Sequence, residues 1–174
     1  MATPRSTRSP VGPTARLAAT GRTLPLVAPS VANYVPAVRI GRFALTSGQL
    51  PFVDGKLAAV GKVGAEVGID DATELTRISA LNALAAVDAL VGLDAIARIV
   101  RVGGFIASAP DFTRQAEVLN GASNLLGEIF GEAGVHVRSA VGVAVLPLDA
   151  PVEVEIMVEV LPDGMTDGPH GTGR

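Results

Sequence analysis

A strictly alternating segment near the C-terminus constrains the fold more than any other feature of this sequence. Valine or isoleucine occupies every second position of 152–160, and these residues alternate with Glu153, Glu155, Met157 and Glu159. Successive side chains of a β-strand point to opposite faces of its sheet. The pattern therefore predicts a strand with one buried apolar face and one acidic face.

A valine-rich segment at 137–146 precedes this strand. The five connecting residues, 147–151, begin and end with proline and cannot continue a ladder. We therefore expect a β-hairpin in which residues whose numbers sum to about 297 face each other. This register would place Arg138 opposite roughly Glu159.

Arg138 shares a strand face with Ala140, Gly142 and Ala144, whereas the valines of the same segment point to the other face. Arg138 is thus expected to stand over a floor of small residues. A guanidinium in such a place has room to receive a planar anion through two hydrogen bonds.

The other elements are predicted from periodicity and from residues that start or end them. Helices are expected at 71–91, ended by Gly92, and at 112–133. Short strands are expected at 37–40 and 42–47, and a longer one at 95–106 that the glycine pair 103–104 should end. The order β-β-α-β-α-β-β predicts an α+β two-layer sandwich with a mixed sheet of about six strands and two long helices on one face.

Composition separates a core from two ends. Residues 1–53 contain six arginines and no acid, whereas 54–174 contain eight basic and seventeen acidic residues. The segment 1–22 is rich in Pro, Ser, Thr and Arg and is expected to be a disordered extension, with a transit peptide as the alternative. We expect one domain at 23–162, a disordered tail at 163–174 and a cytoplasmic location.

Several classes of function are disfavoured by composition. The chain lacks cysteine and has two histidines, so we expect no metal site. A net charge of −3 provides no positive potential to attract nucleic acid, so nucleic-acid binding is not expected. No stretch is long and apolar enough for a membrane span. Charged residues make up only 18% of the chain, where soluble domains have about a quarter, which indicates an oligomer.

Four segments carry a family resemblance. Asn33–Val38 resembles the PYSQAV segment of the RidA/YjgF family of imine/enamine deaminases, also labelled "endoribonuclease L-PSP", and 46–51 resembles its SGQIP. The segment 137–140 resembles ARSCV, and 146–155 resembles the closing LP and VEVE. The resemblance covers about 24–160 and is greatest to a chorismate-mutase-like branch. It implies a fold similar to chorismate mutase, a homotrimer, and ligand clefts between subunits.

The resemblance also implies residue roles. Arg138 would hold the carboxylate of a 2-imino acid, and Glu153 would position or activate water. Tyr34 and Ser47 would line the pocket, and Asn120 lies where the family often has a helix asparagine. The implied reaction converts a 2-imino acid or enamine into a 2-keto acid and ammonia. It requires neither metal nor cofactor.

Several of these residues have an alternative interpretation. Arg138 could be a structural ion-pair residue, Tyr34 could be a packing residue, and Ser47 could be a residue that leads from a strand into a turn. Glu153 is one of three glutamates on its face, and only its spacing of fifteen residues from Arg138 distinguishes it. Ala140 stands where the family has Cys. His136 is interpreted as a loop or rim residue.

Other functions compete with deamination. A binding module of the same fold could hold a small carboxylate without turnover, and an endoribonuclease is less favoured by the negative charge. A chorismate-mutase-type isomerase would need several cations in one pocket. In the expected hairpin, Arg138 and Glu153 lie about six positions apart, on the order of 20 Å. One small ligand could then contact both only in a cleft shared by two subunits.

Overall fold

The alternating segment forms an inner strand of a five-stranded sheet. The computed structural model describes residues 12–27 and 33–162. Its elements are α1 (Pro13–Ala19), β1 (Ala37–Ile40), β2 (Phe43–Thr46), β3 (Phe52–Val53), β4 (Lys56–Leu57), α2 (Ile69–Val91), β5 (Ile96–Ala107), α3 (Gln115–Val118), α4 (Asn120–Phe130), β6 (Val137–Val143) and β7 (Val152–Val160). The sheet order is β1-β2-β7-β5-β6, and β3 and β4 form a separate two-stranded hairpin.

Helices α2 and α4 cover one face of this sheet, which confirms the predicted α+β sandwich. Val154, Ile156 and Val158 of β7 pack in one core cluster with Leu84 of α2 and Leu125 of α4. The main sheet has five strands instead of about six, and β3 and β4 pair only with each other.

The two long helices differ in how well the sequence predicts them. Helix α2 ends at Gly92 as expected, and the φ of 84° at this glycine is one that other residues rarely adopt. The helix expected at 112–133 is instead divided into α3 and α4, which meet at Leu119.

The predicted hairpin between 137–146 and 152–160 is wrong. Strand β5 lies between the two segments, parallel to β6 and antiparallel to β7. The connection 147–151 crosses the end of β5, where the Ala107 amide donates to the Pro151 carbonyl (2.9 Å). Period-two alternation specifies which face a side chain occupies and not which strand lies beside it. Arg138 is therefore aligned with Val102 and not with Glu159.

The glycine pair does not end β5, because the strand continues to Ala107. Both glycines are sites of close approach. A Cβ at Gly104 would lie 2.4 Å from Leu119, and a Cβ at Gly103 would lie 2.6 Å from the carboxylate of Glu155. Small residues here let the junction of α3 and α4 pack on one face and a β7 side chain on the other.

The prediction of disorder for 1–22 is also wrong in part. Residues 13–19 form α1, whose Leu17 is buried in the core. The Thr14 amide donates to Asp94 (2.9 Å), which anchors the start of the helix. Pro13 occupies the first helical turn, where its fixed φ is favourable. Residues 1–11 and the predicted tail 163–174 lie outside the described residues.

The sheet face opposite the helices has apolar margins. Val38 and Ile40 project from β1, and Val137 and Val141 project from β6, with exposed fractions between 42% and 68%. The described parts of the chain leave these four side chains uncovered. Exposed apolar surface of this kind is typical of an interaction site.

A search of the described residues for membrane-spanning helices finds none that is long and apolar enough to cross a bilayer. Within the same two ranges, no group of three or more His, Cys, Asp or Glu side chains is arranged to hold a metal ion.

Helix α4 approaches α2 closely at Gly121, which yields the first prediction. A Cβ at Gly121 would lie 1.9 Å from the backbone carbonyl of Thr73, whereas a Cβ at Gly127 of the same helix meets nothing within 4 Å. We expect Gly121→Ala to lower the free energy of unfolding by about 3 kcal/mol through overpacking. Gly127→Ala is the matched control and should raise it by about 0.5 to 1 kcal/mol. Urea denaturation measures both changes, and equal effects would contradict the close contact.

Candidate functional site

Arg138 lies on edge strand β6 and reaches toward the helices. Its guanidinium donates from Nη1 to Ser123 Oγ (3.0 Å) on α4 and from Nη2 to the Ala116 carbonyl (3.0 Å) on α3. The side chain stays exposed because β6 is the last strand of the sheet. A held but accessible guanidinium is suited to binding an anion from solution.

A shallow cavity of about 320 Å³ surrounds this arginine. It brings together Arg138 and Asn120, two of the residues that the sequence proposes for the site. Ser123, Gly127 and His136 also line it. We call four of these lining residues the arginine half-site: Arg138, Asn120, Ser123 and His136.

The small residues beside Arg138 do not form the open floor that the sequence predicts. Ala140 packs against the hydrophobic core, and a Cβ at Gly142 would lie 2.8 Å from Gln115. Their small size lets α3 approach the strand closely. The cavity consequently lies between Arg138 and helix α4, and not above the strand.

Ser123 is a site residue that the sequence did not reveal, and His136 is, as expected, a loop residue at the rim of the cavity. His136 is half-buried, and both ring nitrogens are engaged, Nε2 with Ser123 Oγ (3.0 Å) and Nδ1 with the Gly134 carbonyl. Two signals could have found them. His136 lies one residue before β6 and two residues from Arg138, and Asn120, Ser123 and Gly127 repeat at helical spacing on one face of α4.

Glu153 differs electrostatically from the other glutamates of β7. Glu155 pairs with Arg101 (2.7 Å), and Glu159 pairs with Arg42. Among the described residues, Glu153 has no ion-pair partner. Burial, with a smaller contribution from the negative charge of Glu155, raises the pKa of Glu153 above the ordinary glutamate value.

Ser47 lies close to Glu153 along the chain of contacts, and a hydrogen bond joins Ser47 to the segment that contains Tyr34. A Cβ at Gly48 would lie 1.6 Å from Glu153 Oε1, so this carboxylate rests against the backbone that follows Ser47. Ser47 Oγ donates to the Val35 carbonyl (2.7 Å), next to the half-exposed Tyr34. We call these residues the glutamate half-site: Glu153, Ser47 and Tyr34.

The two half-sites lie on opposite faces of the sheet. Arg138 is aligned with Val102 of β5, whereas Glu153 lies opposite Phe105 of the same strand. Residues three apart in a regular strand point to opposite faces. Arg138 and Glu153 are therefore separated by the intervening strand β5 and by the sheet itself. They are not separated by distance along a hairpin ladder, as the sequence predicts.

The chain is similar to several known proteins. A family model described as "YjgF/chorismate mutase-like, putative endoribonuclease" matches residues 14–160. Protein TCP17 of Trypanosoma cruzi is 40% identical over 148 residues, which cover 84% of this chain and 92% of that protein. The crystal structure of Atu1372 from Agrobacterium tumefaciens shares 44% identity, with a TM-score of 0.79 over 85% of this chain and 92% of that one. That of "a putative endoribonuclease" from Shewanella oneidensis shares 37% identity, with a TM-score of 0.83 over 86% and 99%.

The raised pKa of Glu153 predicts a pH-dependent stability. Because the folded pKa lies above the unfolded value, stability falls as pH rises from the ordinary glutamate value through the raised one. Glu153→Gln removes this cost, so its Tm should exceed that of the wild type at about pH 7.5 and converge with it below about pH 4. Glu159→Gln, which removes a paired glutamate, should show no such gain. A lower Tm for Glu153→Gln at neutral pH would contradict the raised pKa.

Proposed function

Because the chain belongs to the YjgF/chorismate-mutase-like family, we propose that it hydrolyses 2-imino acids and their enamine tautomers to 2-keto acids and ammonia. The observation that carries the proposal is the accessible guanidinium of Arg138, held by two hydrogen bonds at the margin of a cavity of about 320 Å³. A small carboxylate with a planar neighbouring group matches this geometry and charge.

Arg138 binds the substrate carboxylate in this proposal. Two parallel N–H···O bonds from a guanidinium fix both the position and the plane of a carboxylate. The C=N carbon next to that carboxylate is then held at a defined distance, which converts attack by water into an oriented step. Asn120, which lines the same cavity, offers an amide to the imine nitrogen or the carboxylate.

Glu153 supplies the proton transfers. Its carboxylate takes a proton from water as the water oxygen bonds to the imine carbon. Glu153 delivers this proton to the nitrogen, which gives a carbinolamine. It then transfers the carbinolamine hydroxyl proton to the same nitrogen, so that the C–N bond breaks and ammonia leaves as the C=O bond forms. A carboxylate whose pKa is raised by burial is a stronger base than an ordinary glutamate, which suits this role. Ser47 and Tyr34 beside it line the water side of the site.

The reaction is proposed to take place in clefts between subunits of a homotrimer. Arg138 and Glu153 lie on opposite faces of one sheet, so one small substrate can contact both only if they come from two chains. A repeated contact of one surface with a different one forms a ring when the rotation between successive copies closes, and three copies related by 120° do so. The apolar margins of the open sheet face, including Val137 and Ile40, support burial against another copy.

Two other functions would use the same site differently. A binding module would hold a 2-keto acid through Arg138 without hydrolysing an imine. An endoribonuclease, the activity in the description of the family model, would cleave RNA at a chain whose net charge is −3. Binding without ammonia release favours the module, and RNA cleavage without imine hydrolysis favours the nuclease.

The proposal predicts that Arg138→Ala lowers kcat/KM for imine hydrolysis by at least about 100-fold, because the bidentate anchor is lost. The assay follows ammonia release from 2-imino acids generated in situ by an amino-acid oxidase. Arg114→Ala is the matched control, since Arg114 pairs with Glu117 on the exposed surface of α3. Unchanged turnover in Arg138→Ala would overturn the proposal.

Mixed assemblies test the shared cleft. Subunits carrying Arg138→Ala combined with subunits carrying Glu153→Gln should recover part of the activity, since some clefts then contain both wild-type residues. Light scattering verifies the oligomer in each sample. Activity in a monodisperse monomer, or no recovery in verified mixed trimers, would refute the shared cleft.

A further inference from the structure

A chain of hydrogen bonds with one direction runs from Arg138 to the Gly134 carbonyl. The Gly134 carbonyl can only accept, so His136 Nδ1 carries the hydrogen and donates to it. In the neutral ring Nε2 is then an acceptor and receives the hydroxyl hydrogen of Ser123 (3.0 Å). With its hydrogen committed, Ser123 Oγ turns its lone pairs toward Arg138 Nη1 (3.0 Å).

This chain fixes the orientation of a guanidinium that would otherwise be free. The second bond, from Nη2 to the Ala116 carbonyl (3.0 Å), holds the other end of the same planar group. Together the two bonds use two of the five N–H groups of Arg138 and leave three that can face a ligand.

Such fixing matters because Arg138 is exposed at the sheet edge. A long exposed arginine samples many rotamers, and a ligand that immobilises it must overcome that entropy. Ser123 and His136 remove much of this freedom before a ligand arrives. Neither residue needs to touch the ligand to have this effect.

We infer that Ser123 and His136 are positioning residues for the carboxylate-binding arginine: His136 orients the Ser123 hydroxyl, and Ser123 orients the guanidinium. The inference rests on the proposed function, in which Arg138 binds the carboxylate of a 2-imino acid. It assigns both residues an effect on carboxylate affinity and not on proton transfer, which belongs to Glu153 on the other face of the sheet.

The first test separates affinity from turnover. Ser123→Ala should raise KM for the imine, and the Kd for pyruvate as a 2-keto acid probe, by about tenfold, as expected for the loss of one hydrogen bond to a charged group. Its kcat should change less than about twofold. Ser123→Thr keeps the hydroxyl and should restore most of the affinity. Asn124→Ala, an exposed neighbour on α4, is the matched control and should change neither parameter.

His136→Ala should weaken pyruvate binding in the same direction but less, because Ser123 keeps its hydroxyl and loses only the partner that orients it. Ser123→Ala and His136→Ala combined should be no worse than Ser123→Ala alone. A general loss of folding would instead make the effects accumulate, and it would appear as a lower Tm by circular dichroism.

A double-mutant cycle with Arg138→Ala decides the question. If Ser123 acts through Arg138, Ser123→Ala should have no effect on pyruvate affinity once Arg138 is alanine. Wild-type affinity in Ser123→Ala, with affinity lost in Arg138→Ala, would overturn the positioning role and leave the proposed function intact. Unchanged affinity and turnover in Arg138→Ala would overturn both.

Discussion

The covering of the sheet by helices on one side only is the constraint on which the rest of the structure depends. The apolar residues of β7 occupy the helix side completely, so its glutamates, Glu153 among them, must point to the other side. Arg138 points to the helix side and remains accessible only because β6 is an edge strand. Chemistry that needs both groups on one small molecule therefore needs a second surface, which we propose is another copy of the chain.

The sequence predicts which residues form strands and which faces they present, but not which strands are neighbours. Alternation at 152–160 is a local property, whereas the insertion of β5 between β6 and β7 depends on contacts distant in sequence. Helix α1 was missed for a similar reason, since seven residues form a stable helix in water only through tertiary contacts such as those of Leu17. Glycines 103 and 104 have the sequence pattern of strand breakers, but in the structure they leave room for Leu119 and Glu155.

In the candidate site, too, the sequence predicts local features and misses those that depend on contacts between distant segments. Arg138 and Glu153 could be proposed from motif and spacing, because both are properties of the linear sequence. The structure adds an independent reason to single out Glu153, since the other two glutamates of the strand are paired with arginines. Ser123 could not be found in this way, because its significance arises only where helix α4 meets the end of β6.

The position of β7 in the sheet also affects how the chain is made. Strands β1 and β2 share no ladder with β5 and β6 except through β7, the last strand in the described chain. During synthesis the ribosome releases β7 after the other described strands of this sheet, so the two parts of the sheet stay unjoined until residue 160 has left the exit tunnel. The apolar residues of α2 and β5 that pack against β7 are uncovered during that interval. Exposed apolar surface of this kind makes a nascent chain prone to aggregation and a substrate for chaperones.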